Sequence, residues 1–162
     1  TGHLGLSSLH THAAIGVVPR LIEMGVDPYL LPPTLNLAIG QRLVRTLCHD
    51  SRRALEVSGS VKERLEKEIE GMAEATRKKI KLPDKIYQAL PSSSCPKGTR
   101  GRIAVFEVLS MTRQLEELIL RGPTELDILK EARRQEMITM REDGVMKVIS
   151  GRVGLEELFE VV

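Results

Sequence analysis

Residues 1–25 read TGHLGLSSLHTHAAIGVVPRLIEMG, and three of the four histidines of the chain fall in the first twelve positions. Leu4, Leu6 and Leu9 fit a short buried strand better than a helix, because Gly2 and Gly5 weaken a helix. The run that follows changes period. Ile15, Val18 and Ile22 fall on one helical face with Leu21 beside them, and Gly25 is a helix stop. Pro19 either kinks that helix or confines it to the segment that follows. A strand feeding a helix through a polar turn is the signature of an α/β fold.

Outward from this stretch the pattern continues. VDPYLLPPTLNLAIGQ turns at Asp27-Pro28. It predicts a second helix after Pro32-Pro33 with Leu35, Ala38 and Ile39 as its inner face. QRLVRTLC alternates as a strand near an edge. Residues 49 to 60 are polar and read as a loop. Ser60-x-x-Glu63 is a capping-box pattern. Val61, Leu65, Ile69, Met72 and Ile80 then mark one narrow stripe on a charged surface helix of about five turns. LPSSSCPKGTRG reads as a loop, and RIAVFEVL as a strand within a covered sheet. Thr112, Thr124 and Thr139 are N-cap candidates for three further helices. Gly151 and Gly154 frame a last short one, LEELFEVV. The chain thus begins as α/β and ends as a small helical bundle.

The chain has 162 residues, 41% of them hydrophobic and 28% charged, which is a globular composition. Tyr29, Tyr87, Phe106 and Phe159 are the only aromatics, so the core is aliphatic. A formal net charge of +2 gives no footprint for nucleic acid or an anionic membrane. Cys48 and Cys95 make no disulfide framework, and the sequence reads as cytosolic. No stretch is long and apolar enough to span a bilayer as a helix, and no signal peptide is visible. A chain starting at Thr1 reads as an expressed piece, a processed product or a fragment.

Imidazole binds metals, moves protons and contacts anions. His10 and His12 stand two residues apart, which puts both on one face of a strand, as a metal site uses. No third ligand is near in sequence, and a hydrogen-bonded structural role is the simpler reading. Arg20, Arg42, Arg45, Arg100 and Arg102 suit phosphate or carboxylate contacts, and equally suit surface ion pairs. Arg141, Glu142 and Asp143 read as a helix N-terminus with favourable acidic charge.

Four blocks occur in order: TGHLGLSSLHTHAAIGVVPRLIEMGVDPYLL, QRLVRTLC, GTRGRIAVFEVL and MREDGVMKVISGRVGLEEL. Together they resemble the C-terminal part of the type II secretion and type IV pilus assembly ATPases, a RecA-like family of hexameric motors. The resemblance covers the chain apart from the helix around residues 60 to 81. It implies that residues 1–48 are the back portion of a RecA-like nucleotide-binding core and 49–98 an inserted subdomain. Residues 99–110 would be a strand returning to the core, and 111–162 a C-terminal helical subdomain. It makes His10 the histidine-box residue beside the terminal phosphates of ATP, with His3 its upstream companion; both are the expected catalytic residues. His12 stands where the family commonly has Asn and has no assigned role. A phosphate near His10 would favour its charged form, and that contact would report loss of the γ-phosphate.

The chain lacks a G-x-x-x-x-G-K-[ST] loop, since it has no Gly-Lys dipeptide. It also lacks an acidic strand end ahead of TGHL to hold Mg²⁺. The family carries both elements upstream, so ATP and Mg²⁺ are expected in the complete motor only, and residues 1–162 alone are expected to be inactive. The family's two C-P-x-C pairs are reduced to Cys48-His49-Asp50-Ser51 and Cys95-Pro96-Lys97-Gly98, so zinc is not expected. The implied partners are identical subunits in a homohexamer and an inner-membrane platform protein, with no direct nucleic acid. The implied location is cytoplasmic, peripheral at the inner membrane. Two other classes stay open: a non-catalytic interaction module keeping the fold, and a degenerate metal-binding domain.

Overall fold

A computed structural model describes residues 3–162. The chain is α/β and divides into two compact units, one of residues Thr1–Gly40 with Leu109–Gln135, the other of Gln41–Val108 with Glu136–Val162. Among the described residues the strands form two small two-stranded sheets.

In the first unit, residues 3–11 have no regular secondary structure, and Leu4 and Leu6 are 80% and 95% exposed. This corrects the strand expected over Leu4–Leu9. Among the described residues no strand lies beside the segment to complete a hydrogen-bonded ladder. A 3-10 turn at Ala14–Gly16 leads into α1, Val17–Glu23. Pro19 is its third residue, inside the first turn where a missing N–H costs nothing. Gly25, at φ 90, ends it: Gly25 N–H donates to Ile22 O and Val26 N–H to Leu21 O, the paired bonds of a Schellman cap. Asp27 accepts the Tyr29 N–H at 3.0 Å and opens a second 3-10 turn, Pro28–Leu30.

The helix expected after Pro32-Pro33 is displaced. Both prolines lie inside α2, Leu31–Thr34, and the chain then extends into β1, Leu37–Leu47. Prolines are tolerated only in a first turn, so this helix stops after four residues. Leu37 and Ile39, expected to be helical, instead alternate with buried Ala38. The unit is completed by α5, Arg113–Ile119, and α6, Glu125–Arg134. Thr112 caps α5 by accepting the Leu115 N–H, and Thr124 with Asp127 forms a full capping box on α6. Among its described residues, Ala14, Val18, Leu31, Ala38, Leu109, Leu115, Ile119, Ile128 and Ala132 are buried and apolar.

In the second unit, β1 lies beside β4, Thr99–Ser110. The pair is antiparallel: Cys48 N–H donates to Gly98 O, and the Thr46 hydroxyl to Arg100 O. Val44 and Val105 face the core, whereas Leu43, Phe106 and Val108 are exposed. β4 is therefore covered on one face only in this chain, not on both. The 49–60 loop contains a strand, β2, Arg53–Glu56, which pairs antiparallel with β3, Lys85–Gln88.

The long charged helix is broken. α3 spans Gly59–Glu70 and stops at Gly71, and α4 spans only Glu74–Arg77. Its N-cap is Ser58, with no side-chain cap bond, so the expected Ser60–Glu63 box does not form. Leu65, Ile69 and Met72 still pack into the core with Val44, Ile86 and Val105, and Ile80 reaches the same core from outside any helix. α7, Met140–Ile149, and α8, Leu155–Phe159, add Val145, Val148 and Leu158. Thr139 and Glu142 form the second capping box.

Cys48 and Cys95 are joined by a disulfide across a sequence separation of 47. This corrects the expectation that the two cysteines form no disulfide framework. The Cys48–Gly98 backbone bond draws the end of β1 to the start of β4, and Cys95 lies just before that start.

Candidate functional site

His3, His10 and His12 all lie in or just after the irregular segment ahead of α1, with their side chains exposed. His10 stands four positions before Ala14, the buried first residue of the 3-10 turn at Ala14–Gly16. Among the described residues no group of three or more His, Cys, Asp or Glu side chains is arranged to hold a metal ion. The donor sets weighed from sequence, including Cys48, His49, Asp50 and Cys95, are therefore not assembled. His49 lies 3.6 Å from the Asp50 carboxylate, with both side chains exposed.

The arginines separate by environment. Arg20 pairs with Glu23 at 3.2 Å on the exposed side of α1. Arg42 donates to its neighbour's carbonyl, Gln41 O, and Arg100 to Ser94 O at 2.8 Å. Arg45 and Arg102 instead line an open cleft of about 500 Å³ with Leu43, Gly101, Glu157, Glu160 and Val161. Its lining brings together two guanidinium groups and two carboxylates, a surface of mixed sign.

MREDG turns out to be a set of fasteners. Arg141 grips Glu68 on α3 through two bonds, of 2.8 and 2.6 Å, and lies 4.5 Å from the centre of the Phe159 ring. Arg64 also lies over Phe159, at 4.0 Å. The Arg141 guanidinium holds the Glu68 carboxyl below its ordinary pKa. Glu142 closes the capping box. Asp143 accepts the Phe106 N–H of β4 at 2.9 Å and pairs with Lys147. All three thus make contacts within the fold.

Two polar networks escaped the sequence reading. Glu131, nearly buried on α6, receives two bonds of 2.7 Å from Arg134, one from the Thr112 hydroxyl at 2.9 Å and one from Gln135. Arg134 above all holds the Glu131 carboxyl at about 2. Glu107, also buried, accepts the Met140 N–H at 3.2 Å. Glu107 was visible as the one acid in an apolar strand, which signals a buried polar group with a partner.

Residues 1–160 match the family described as Type II/IV secretion system protein. The type IV pilus assembly ATPase PilB of Myxococcus xanthus is 36% identical over 98% of this chain. The type II secretion system ATPase E of Vibrio cholerae is 36% identical over 99% of it. The type IV pilus assembly ATPase PilB of Pseudomonas aeruginosa is 33% identical over 99%. The chain spans between 27% and 30% of the length of these three relatives.

Proposed function

The chain belongs to the type II/IV secretion system protein family, and from that premise we propose that it is part of an ATP-hydrolysing motor for type IV pilus assembly or type II protein secretion. One observation carries the reading: similarity to both kinds of ATPase runs through nearly the whole chain. The proposed architecture is the back portion of a RecA-like core over 1–48, an inserted subdomain over 49–98, a returning strand over 99–110 and a C-terminal helical subdomain over 111–162.

In this reading His10 contacts the terminal phosphates and His3 assists it. The exposure of both side chains leaves them open to a ligand. A charged imidazole would donate to a γ-phosphate oxygen, and loss of that phosphate would release the contact. ATP and Mg²⁺ bind in the complete motor, through a phosphate loop and a carboxylate that these 162 residues do not contain. The motor works as a homohexamer on an inner-membrane platform protein, from the cytoplasmic side. Among the described residues no helix is long and apolar enough to cross a membrane.

Two measurements test this. Residues 1–162 alone should show no ATP turnover above background, and robust turnover would refute the division of labour. In a longer chain that carries these residues with a phosphate loop, His10→Ala should lower turnover sharply with unchanged circular dichroism. Undiminished turnover would refute the sensor role.

A further inference from the structure

The Cys48–Cys95 pair is chemistry that the motor reading does not use. Both residues are buried, at 6% and 5% exposure. The backbone around them is fastened without the sulfurs. Cys48 N–H donates to Gly98 O at 2.9 Å, and Arg52 N–H donates to Cys48 O at 3.0 Å. Cys95 sits in a closed turn: Ser92 N–H donates to Cys95 O, Cys95 N–H to Ser92 O and Oγ, and Gly98 N–H to Cys95 O. The Arg100 guanidinium ties the same turn through Ser94 O at 2.8 Å. None of these bonds uses a sulfur, so cutting the sulfur–sulfur bond removes none of them directly and would leave two thiols as neighbours.

We infer that Cys48 and Cys95 form a reversible cross-link. It opens to two thiols in a reducing medium and closes by exchange with glutathione disulfide. One cysteine thiolate attacks a sulfur of glutathione disulfide, forming a mixed disulfide and releasing one glutathione thiolate. The second cysteine thiolate then attacks the protein sulfur of that mixed disulfide and releases the other glutathione. The two protein thiols lose two protons and two electrons, and glutathione disulfide is reduced to two glutathione thiols. Proximity makes the second step intramolecular, which favours closure over a lasting glutathione adduct.

Closure fastens an excursion. Residues 49 to 94 carry β2, α3, α4 and β3, and they leave and rejoin the β1–β4 pair at the two cysteines. The excursion has its own anchors: Leu65, Ile69, Met72 and Ile86 in the core, Glu68 on Arg141, and Arg52 on Gly151 O at 2.6 Å. Opening the cross-link therefore leaves the fold in place. It removes the restraint on opening of the excursion, since a chain tethered at both ends has fewer open states to gain.

The first arm of the test uses the unmodified protein. The protein is equilibrated in glutathione buffers from fully reduced to fully oxidised, quenched with an alkylating agent and weighed intact. Hydrogen exchange is followed in the two end states. Two alkyl groups are expected at the reduced end, and none at the oxidised end with no glutathione retained. Amides of α3 and β3 should exchange at least about tenfold more slowly in the closed state. Thiols still alkylatable at the oxidised end, retained glutathione, a bond that reduces only when the protein unfolds, or equal exchange in both states would each overturn the inference. The double variant Cys48→Ser/Cys95→Ser should exchange like the reduced protein in every buffer. If that variant still responds to the buffer, the pair is not the switch. If it does not fold, the titration of the unmodified protein decides.

Discussion

The carboxylate of Glu107, on β4, accepts the backbone N–H of Met140, the first residue of α7. That N–H is one of the orphan donors at a helix start, and both residues are buried. Three residues on, Asp143 returns the favour by accepting the Phe106 N–H. Strand and helix are thus stitched by reciprocal carboxylate-to-amide bonds. Glu107→Ala should cost roughly 2–4 kcal/mol, from an unmet buried donor and the vacated volume. Glu107→Gln keeps an acceptor oxygen and should cost less than about 1 kcal/mol. Urea unfolding of both variants measures this. Equal losses would mean that the Met140 contact contributes nothing.

What was legible in the sequence was local. Thr124-x-x-Asp127 and Thr139-x-x-Glu142 sit within four residues and become capping boxes. The alternation of QRLVRTLC becomes the second half of β1. Histidine spacing marked a candidate segment, and among the described residues no cluster of three His, Cys, Asp or Glu side chains forms there to hold a metal ion. What was illegible depends on distant partners. β2 and β3 are four-residue strands too short to show a period, and each is defined only by the other. The Leu65–Ile69–Met72 stripe was real, yet Gly71 ends the helix beneath it while the core still collects Ile80. Cys48 and Cys95 meet because β1 and β4 pair, a fact that no spacing encodes.

Gly144 lies in the interior of α7, where glycine normally weakens a helix by up to about 1 kcal/mol. Here a Cβ would run into the Leu158 side chain, which is fully buried and has no room to retreat. Overpacking of this kind costs roughly 1–3 kcal/mol and outweighs the gain in helix propensity. Gly144→Ala should therefore destabilise by about 1–2 kcal/mol in urea. A variant more stable than the parent would show that α7 and α8 separate freely.

Glu131 makes stability depend on acid. Its pKa falls from the ordinary 4.5 to about 2, chiefly through the Arg134 guanidinium. A depressed carboxyl contributes in full above 4.5 and loses that contribution as pH falls toward 2. Arg134 is 52% exposed, so solvent screens the pair. Between pH 7 and pH 3 the loss from this group should be about 1–2 kcal/mol. Glu131→Gln should lower stability at pH 7 and shrink the difference between the two pH values by that amount. An unchanged pH profile in the variant would show that the network does not act on folding.

Gly98 is held at φ 68, in the left-handed region, and a Cβ there would stand 2.7 Å from the Leu90 backbone nitrogen. Backbone yields less readily than a side chain, so Gly98→Ala meets both strain and collision. The left-handed conformation costs about 1–2 kcal/mol for a non-glycine residue, and the collision a further ~1–3 kcal/mol. The same glycine accepts the Cys48 N–H and donates to Cys95 O. Displacing it moves the two cysteines apart along with the turn. Gly98→Ala should lose about 2–4 kcal/mol in urea and close its disulfide more slowly in oxidised glutathione than the parent chain. If closure keeps the parental rate while stability falls, the turn is not what holds the thiols together.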